Sequence, residues 1–121
     1  MDQTIGVTTM QIEALSNLDA LAKDVSAHLD RLGVERSDWV RVAKVGEEGG
    51  EVVGALIKRS YGAADTADVL NELGDVFLAA IAAADQLGVT PSEVIVSRWA
   101  QVLPRSGARG GGPVDPERIA G

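Results

Sequence analysis

An all-α fold is what this 121-residue sequence predicts, on three observations. Apolar residues return at steps of three and four along most of the chain, the period of an amphipathic helix. Aromatic residues make up only 3% while Ala, Val, Leu and Gly are plentiful, a composition suited to closely packed helices and not to a sheet held by aromatic cross-strand pairs. Capping residues and glycines fall at the ends of each periodic stretch. With 45% hydrophobic residues the chain is long enough for one core and too short for two.

The elements follow in order. Ile12, Leu15, Leu18, Ala22, Val25, Leu29 and Leu32 define a first helix from about Thr9 to Leu32, stopped by Gly33. Ser37 is placed to cap a second, whose stripe runs through Val42, Val45, Val52 and Leu56 until Ser60-Tyr61-Gly62 breaks it. Gly46, Gly49, Gly50 and Gly54 each weaken that helix by up to about 1 kcal/mol relative to Ala, a cost that close approach of a second helix or of a ligand would explain. Asp65 or Thr66 caps a third helix, carrying Val69, Leu73, Val76, Ala80, Ala84 and Leu87 and ending at Gly88. Thr90-Pro91-Ser92-Glu93 is a capping box with Pro at the first helical position, so a fourth helix runs from Pro91 to Leu103 and is expected to end at Pro104. Residues 1–104 thus form the domain, and 105–121, rich in Gly, Pro and Arg, reads as a flexible tail. Four modest, glycine-rich helices bury limited apolar area alone, so a bundle with a helical-hairpin core is expected to be completed by self-association.

Charge and rare residues exclude several functions. The formal net charge is −7, and a surface of that sign repels a phosphate backbone, which argues against direct nucleic-acid binding. No stretch reaches the roughly 18 apolar residues of a membrane span, and Met1 to Met10 lacks the basic start and apolar run of a signal peptide, so a cytoplasmic protein without membrane partners is expected. Cysteine is absent and histidine occurs once, which leaves oxygen ligands as the available metal donors.

Those oxygens are patterned. Glu48-Gly49-Gly50-Glu51-Val52-Val53-Gly54-Ala55 and Glu72-Leu73-Gly74-Asp75-Val76-Phe77-Leu78-Ala79 both read E-x-G-[E/D]-V-x-x-A. Residues three apart on a helix share a face, so each copy presents two carboxylates together. At about 100° per residue, Glu48 lies on the row of Val45, Val52 and Ala55, and Glu72 with Asp75 bears the same relation to the stripe of the third helix. If the two helices form an antiparallel hairpin, the pairs face each other, with Gly50 and Gly74 leaving room beside them. Like charges so placed repel unless a cation neutralises them, and Mg²⁺, or Mn²⁺, suits hard oxygen ligands. A single E-x-x-E is an ordinary solvated spacing; two copies sharing their Gly, Val and Ala positions are not.

Lys44-Val45-Gly46-Glu47-Glu48-Gly49-Gly50-Glu51 with Glu72-Leu73-Gly74-Asp75 resembles the E-E-x-x-E and E-x-x-D signature of MazG-like nucleotide pyrophosphohydrolases, an all-α superfamily. The resemblance is best between Trp39 and Gly88. It implies that Glu48, Glu51, Glu72 and Asp75 bind Mg²⁺ and that Glu47 helps hold the attacking water or a further metal. It also implies hydrolysis of a nucleoside triphosphate to the monophosphate and pyrophosphate, as nucleotide-pool sanitation or control, by a homodimer or homotetramer. Lys44, Lys58, Arg98 and Arg105 are candidate phosphate contacts, and Trp39 is a candidate base-stacking residue, although its size favours packing as core. Trp99 reads as a buried anchor of the fourth helix, His28 as a packed or surface residue, and Asp68 and Asp85 as solvent-side charges. Ala82 and Arg98-Trp99 stand where many relatives carry Asn and Lys or Asn. Phosphoribosyl-ATP pyrophosphohydrolases share the Lys-Val-Gly-Glu-Glu opening but commonly carry Tyr-His where this chain has Phe77-Leu78, which places that activity second. A helical protein that binds nucleotide or a partner with little turnover is the third reading.

Overall fold

The computed structural model describes residues 9–109 and contains four helices: α1 Thr9–Arg31, α2 Asp38–Ser60, α3 Thr66–Gln86 and α4 Pro91–Arg109. No strand occurs among the described residues. The expected all-α class and four-helix order are therefore observed.

Local chemistry sets the boundaries. The Ser37 side chain accepts the Val40 N–H at the start of α2. At α3, Asp65 accepts the Asp68 N–H and Asp68 reciprocally accepts the Asp65 N–H, a closed capping box in which Asp68 has a structural role and is not an idle surface charge. Thr90 and Glu93 do the same for α4. Gly33 and Gly88 follow α1 and α3 at φ of +70° and +80°, a left-handed conformation that glycine adopts without steric cost. Each lets the next residue fold back five positions, Val34 N–H to Leu29 C=O and Val89 N–H to Ala84 C=O, satisfying carbonyls the helix end leaves free.

The fourth helix departs from expectation. It passes through Pro104 and continues to Arg109. Proline removes one backbone donor and crowds the preceding turn, but here it is exposed, where water can take the freed carbonyl. The flexible tail expected over 105–121 therefore begins with helix, and its residues 110–121 lie outside the described residues.

α2 and α3 form the dominant packed pair. They run antiparallel: Gln86 at the end of α3 donates to Asp38 at the start of α2 (3.0 Å), while Arg59 donates to Thr66 at the opposite end (3.1 Å). α1 packs on α3 and α4 but not on α2 among the described residues, so a gap opens between α1 and α2 with α3 as its floor. Asp85, expected at the solvent side, instead joins α1 to α3 by accepting the Ser26 hydroxyl at 2.8 Å. Asp19 of α1 accepts both the backbone N–H and the hydroxyl of Ser92, which satisfies a free donor at the start of α4.

The core is small-residue packing: Ala22, Ala55, Ala79, Ile81, Ala82, Ala83 and Ala84 are its buried apolar members among the described residues. Large apolar side chains lie outside it. Trp39 is 85% exposed, Phe77 65% and Trp99 53%, so neither tryptophan is a core anchor within the single chain. The stripe expected on α2 is displaced too: Val42 and Leu56 are exposed, and the buried row is Arg41, Glu48 and Ala55, seven residues apart. The glycines of α2 leave open space where a side chain would stand. A Cβ added at Gly46, Gly49, Gly50, Gly54 or Gly74 would meet no atom within 4 Å, so close helix contact within the chain does not explain them.

Candidate active site

Glu48 occupies the centre of that buried row, two turns from Arg41 and two from Ala55, where α2 faces α3. It is 8% exposed. Its Oε1 meets Lys44 Nζ at 3.3 Å, and its Oε2 is buried with no hydrogen-bond partner. Across the helix pair, Glu72 Oε2 is buried and equally unpartnered. One carboxylate oxygen from each of Glu48, Glu72 and Asp75 lies within 4.8 Å of the other two, and the same holds for Glu47, Glu48 and Glu51. The expected quartet thus resolves into two overlapping triads sharing Glu48, with Glu51 grouped with Glu47 and Glu48 and not with the acids of α3.

Two orphaned, buried carboxylate oxygens are costly in isolation, because each has left water without gaining a donor. A divalent cation is the partner that hard oxygen donors accept most readily. Ligands at about 2.1 Å on opposite sides of Mg²⁺ stand about 4.2 Å apart. Oxygens spread over no more than 4.8 Å close on such an ion by sub-ångström movements of flexible side chains. The donor set therefore fits a divalent metal.

Lys44 bridges Glu47 at 3.1 Å and Glu48 at 3.3 Å, and these hydrogen bonds, Glu47's first, raise its pKa above the usual lysine value. It serves the acids as an internal counter-ion. Lys58 lines a cleft of about 650 Å³ beside α2 and α3, together with Glu47, Gly50, Glu51 and Glu72. Arg98 and Trp39 line neither this cleft nor the next one; Arg98 instead donates to Gln101 on its own helix. Arg105 has no described side chain.

A second cleft, of about 630 Å³, fills the gap between α1 and α2. Leu78, Ala79 and Ala82 of α3 form its floor, and Glu48 and Asp75 reach it from the acidic site. Its most unexpected member is Arg41, only 4% exposed, which donates from Nε to the Glu35 carbonyl at 3.1 Å and from Nη2 to the Val34 carbonyl at 3.4 Å. Apolar counting passes over this arginine because it is charged, although its seven-residue spacing from Glu48 puts it on the same buried row. His28, exposed on α1 and facing Arg31, sits at the rim.

No curated protein and no solved structure gives a match to the chain. A family model does: residues 22–97, 76 of the 121, match the phosphoribosyl-ATP pyrophosphohydrolase family, spanning the two acidic helices and both clefts. That family is a branch of the MazG-like all-α superfamily signalled by the two acidic motifs, and the chain belongs to it.

Proposed function

We propose that the chain is a Mg²⁺-dependent pyrophosphohydrolase that cleaves a nucleoside triphosphate between its α- and β-phosphates, releasing the monophosphate and pyrophosphate. The observation that carries this reading is Glu48, buried, shared by two carboxylate triads and left with an unpartnered oxygen. In this reading Glu48, Glu51, Glu72 and Asp75 hold the cations, and a bound divalent metal would neutralise the triphosphate and acidify the attacking water. Glu47, exposed and adjacent, accepts the proton of that water. Lys58, at the edge of the polar cleft, meets the charge that grows on the departing pyrophosphate.

Phosphoribosyl-ATP is the second candidate substrate, favoured by the family match over residues 22–97. The chain's own Phe77-Leu78 argues for a different substrate, since Leu78 contributes an apolar surface to the cleft floor. Pyrophosphate release from a panel of canonical and modified triphosphates and phosphoribosyl-ATP, each with Mg²⁺, separates the two. Release unaffected by Glu48→Gln or Asp75→Asn would remove these acids from the reaction.

Self-association to a homodimer or homotetramer belongs to the same proposal. The support is the exposure of Leu32, Tyr61, Leu70 and Phe77, each more than half exposed, over a core built mainly of alanine.

A further inference from the structure

The α1–α2 cleft combines three properties that bear on what the site accepts. It is a half-open, mainly apolar cleft of about 630 Å³, within the range that holds a nucleoside. It abuts the acidic site, since Glu48 and Asp75 belong to both. It also contains a single nearly buried cation, Arg41. The carbonyl oxygens of Glu35 and Val34 fix the guanidinium in place through Nε and Nη2. No described acceptor takes a hydrogen bond from Nη1, and no described carboxylate lies within 4.0 Å of Arg41, although its charge acts at longer range on Asp30. The guanidinium N–H groups that the two carbonyls leave free have no described protein acceptor, and Arg41 lines the cleft, so a ligand there can take them in place of water.

We infer that this cleft receives the nucleobase, and that Arg41 is a specificity-determining residue donating to the O6 and N7 acceptors of a 6-oxopurine. The inference rests on the nucleotide reading above and narrows it to one substrate class. Guanine and hypoxanthine present two adjacent acceptors on the edge that a guanidinium matches bidentately. Adenine presents an amino donor there and leaves the arginine facing a donor. A good bidentate pair discriminates by roughly ten- to a hundredfold. Small Ala79 and Ala82 beside Leu78 on the floor leave room for a bicyclic base, and Val25, Leu29 and Val40 add apolar lining for it to stack against.

Binding of nucleoside monophosphates to the full chain, measured by calorimetry without metal, tests this independently of turnover. GMP and IMP are expected to bind at least tenfold tighter than AMP. Arg41→Lys, which keeps the charge but not the fork, is expected to abolish that preference. Val40→Phe, which narrows the cleft from its half-exposed rim and leaves the Ser37 cap intact, is expected to weaken all three purines at least tenfold. Equal binding of GMP and AMP, tighter binding of UMP, or a preference that survives both substitutions overturns the inference. So does a Val40→Phe chain that binds GMP normally but changes its mass in light scattering, which assigns the cleft to a second copy of the chain. If the GMP preference holds while no triphosphate is hydrolysed, the pyrophosphohydrolase reading fails and this one stands.

Discussion

Glu48 and Arg41 show how far one position on a helix can govern chemistry. Both lie on the buried row of α2, and both are charged where an apolar residue would ordinarily sit. Glu48→Gln removes a charge but keeps the shape and relieves the repulsion among the neighbouring carboxylates, so the fold should hold or gain stability while metal-dependent turnover falls at least a hundredfold; urea denaturation beside a pyrophosphate assay reads both. A second residue-scale consequence concerns acid. Arg36 grips Asp30 bidentately, at 2.9 Å and 2.6 Å, and this hydrogen bonding, with Arg36's charge, holds the Asp30 pKa below its usual 3.8. A carboxylate with a lowered folded-state pKa contributes stability above its unfolded-state value, and that contribution disappears as pH falls through the folded one. Asp30→Asn should therefore be less stable than the parent at neutral pH and indistinguishable from it well below pH 3.8, in denaturation series at the two pH values.

At the scale of the elements, the ends of the helices were legible and their faces less so. Ser37, Asp65 and the Thr90-Glu93 box cap as their residue types require, because capping is a local matter of one side chain and the next three residues. Faces depend on what lies opposite. The apolar period of α2 placed its stripe on Val42 and Leu56, whereas the buried residues of α2 are Arg41, Glu48 and Ala55, and no count of apolar residues finds a row that is two-thirds charged. The pairing of acids along each helix was legible because each copy of the motif repeats their spacing; the arrangement in two triads that share Glu48, one of which includes Glu47, was not, since it depends on how α2 meets α3. Helix continuation past Pro104 was equally hidden, because proline stops a helix only where its lost bond and crowding cannot be relieved. The open glycines give a direct test. Gly46→Ala meets no atom within 4 Å and should stabilise α2 by about 0.5–1 kcal/mol, as read by the urea midpoint. Destabilisation instead would mean that another copy of the chain occupies that space.

For the whole molecule, the balance between a small alanine core and a large apolar exterior is the governing fact. No single helix among the described residues is long and apolar enough to cross a membrane. A chain that covers these side chains with its own copies should have a melting temperature that falls on dilution, and a light-scattering mass that is a multiple of 12.6 kDa. Phe77→Glu, at a site 65% exposed, should shift that mass toward the monomer. A concentration-independent transition at the mass of one chain would show that the exterior is left bare.

Divalent-ion capture by the carboxylates that α2 and α3 share through Glu48 is the claim on which the rest depends. Titrating Mn²⁺ into the full chain and following the loss of the free-ion paramagnetic resonance signal measures it without requiring turnover. The parent should take up Mn²⁺, Mg²⁺ should compete for the same sites, and Glu48→Gln should weaken uptake at least tenfold. An Mn²⁺ signal unchanged by the parent chain, with or without nucleotide, or uptake identical in Glu48→Gln, would contradict it.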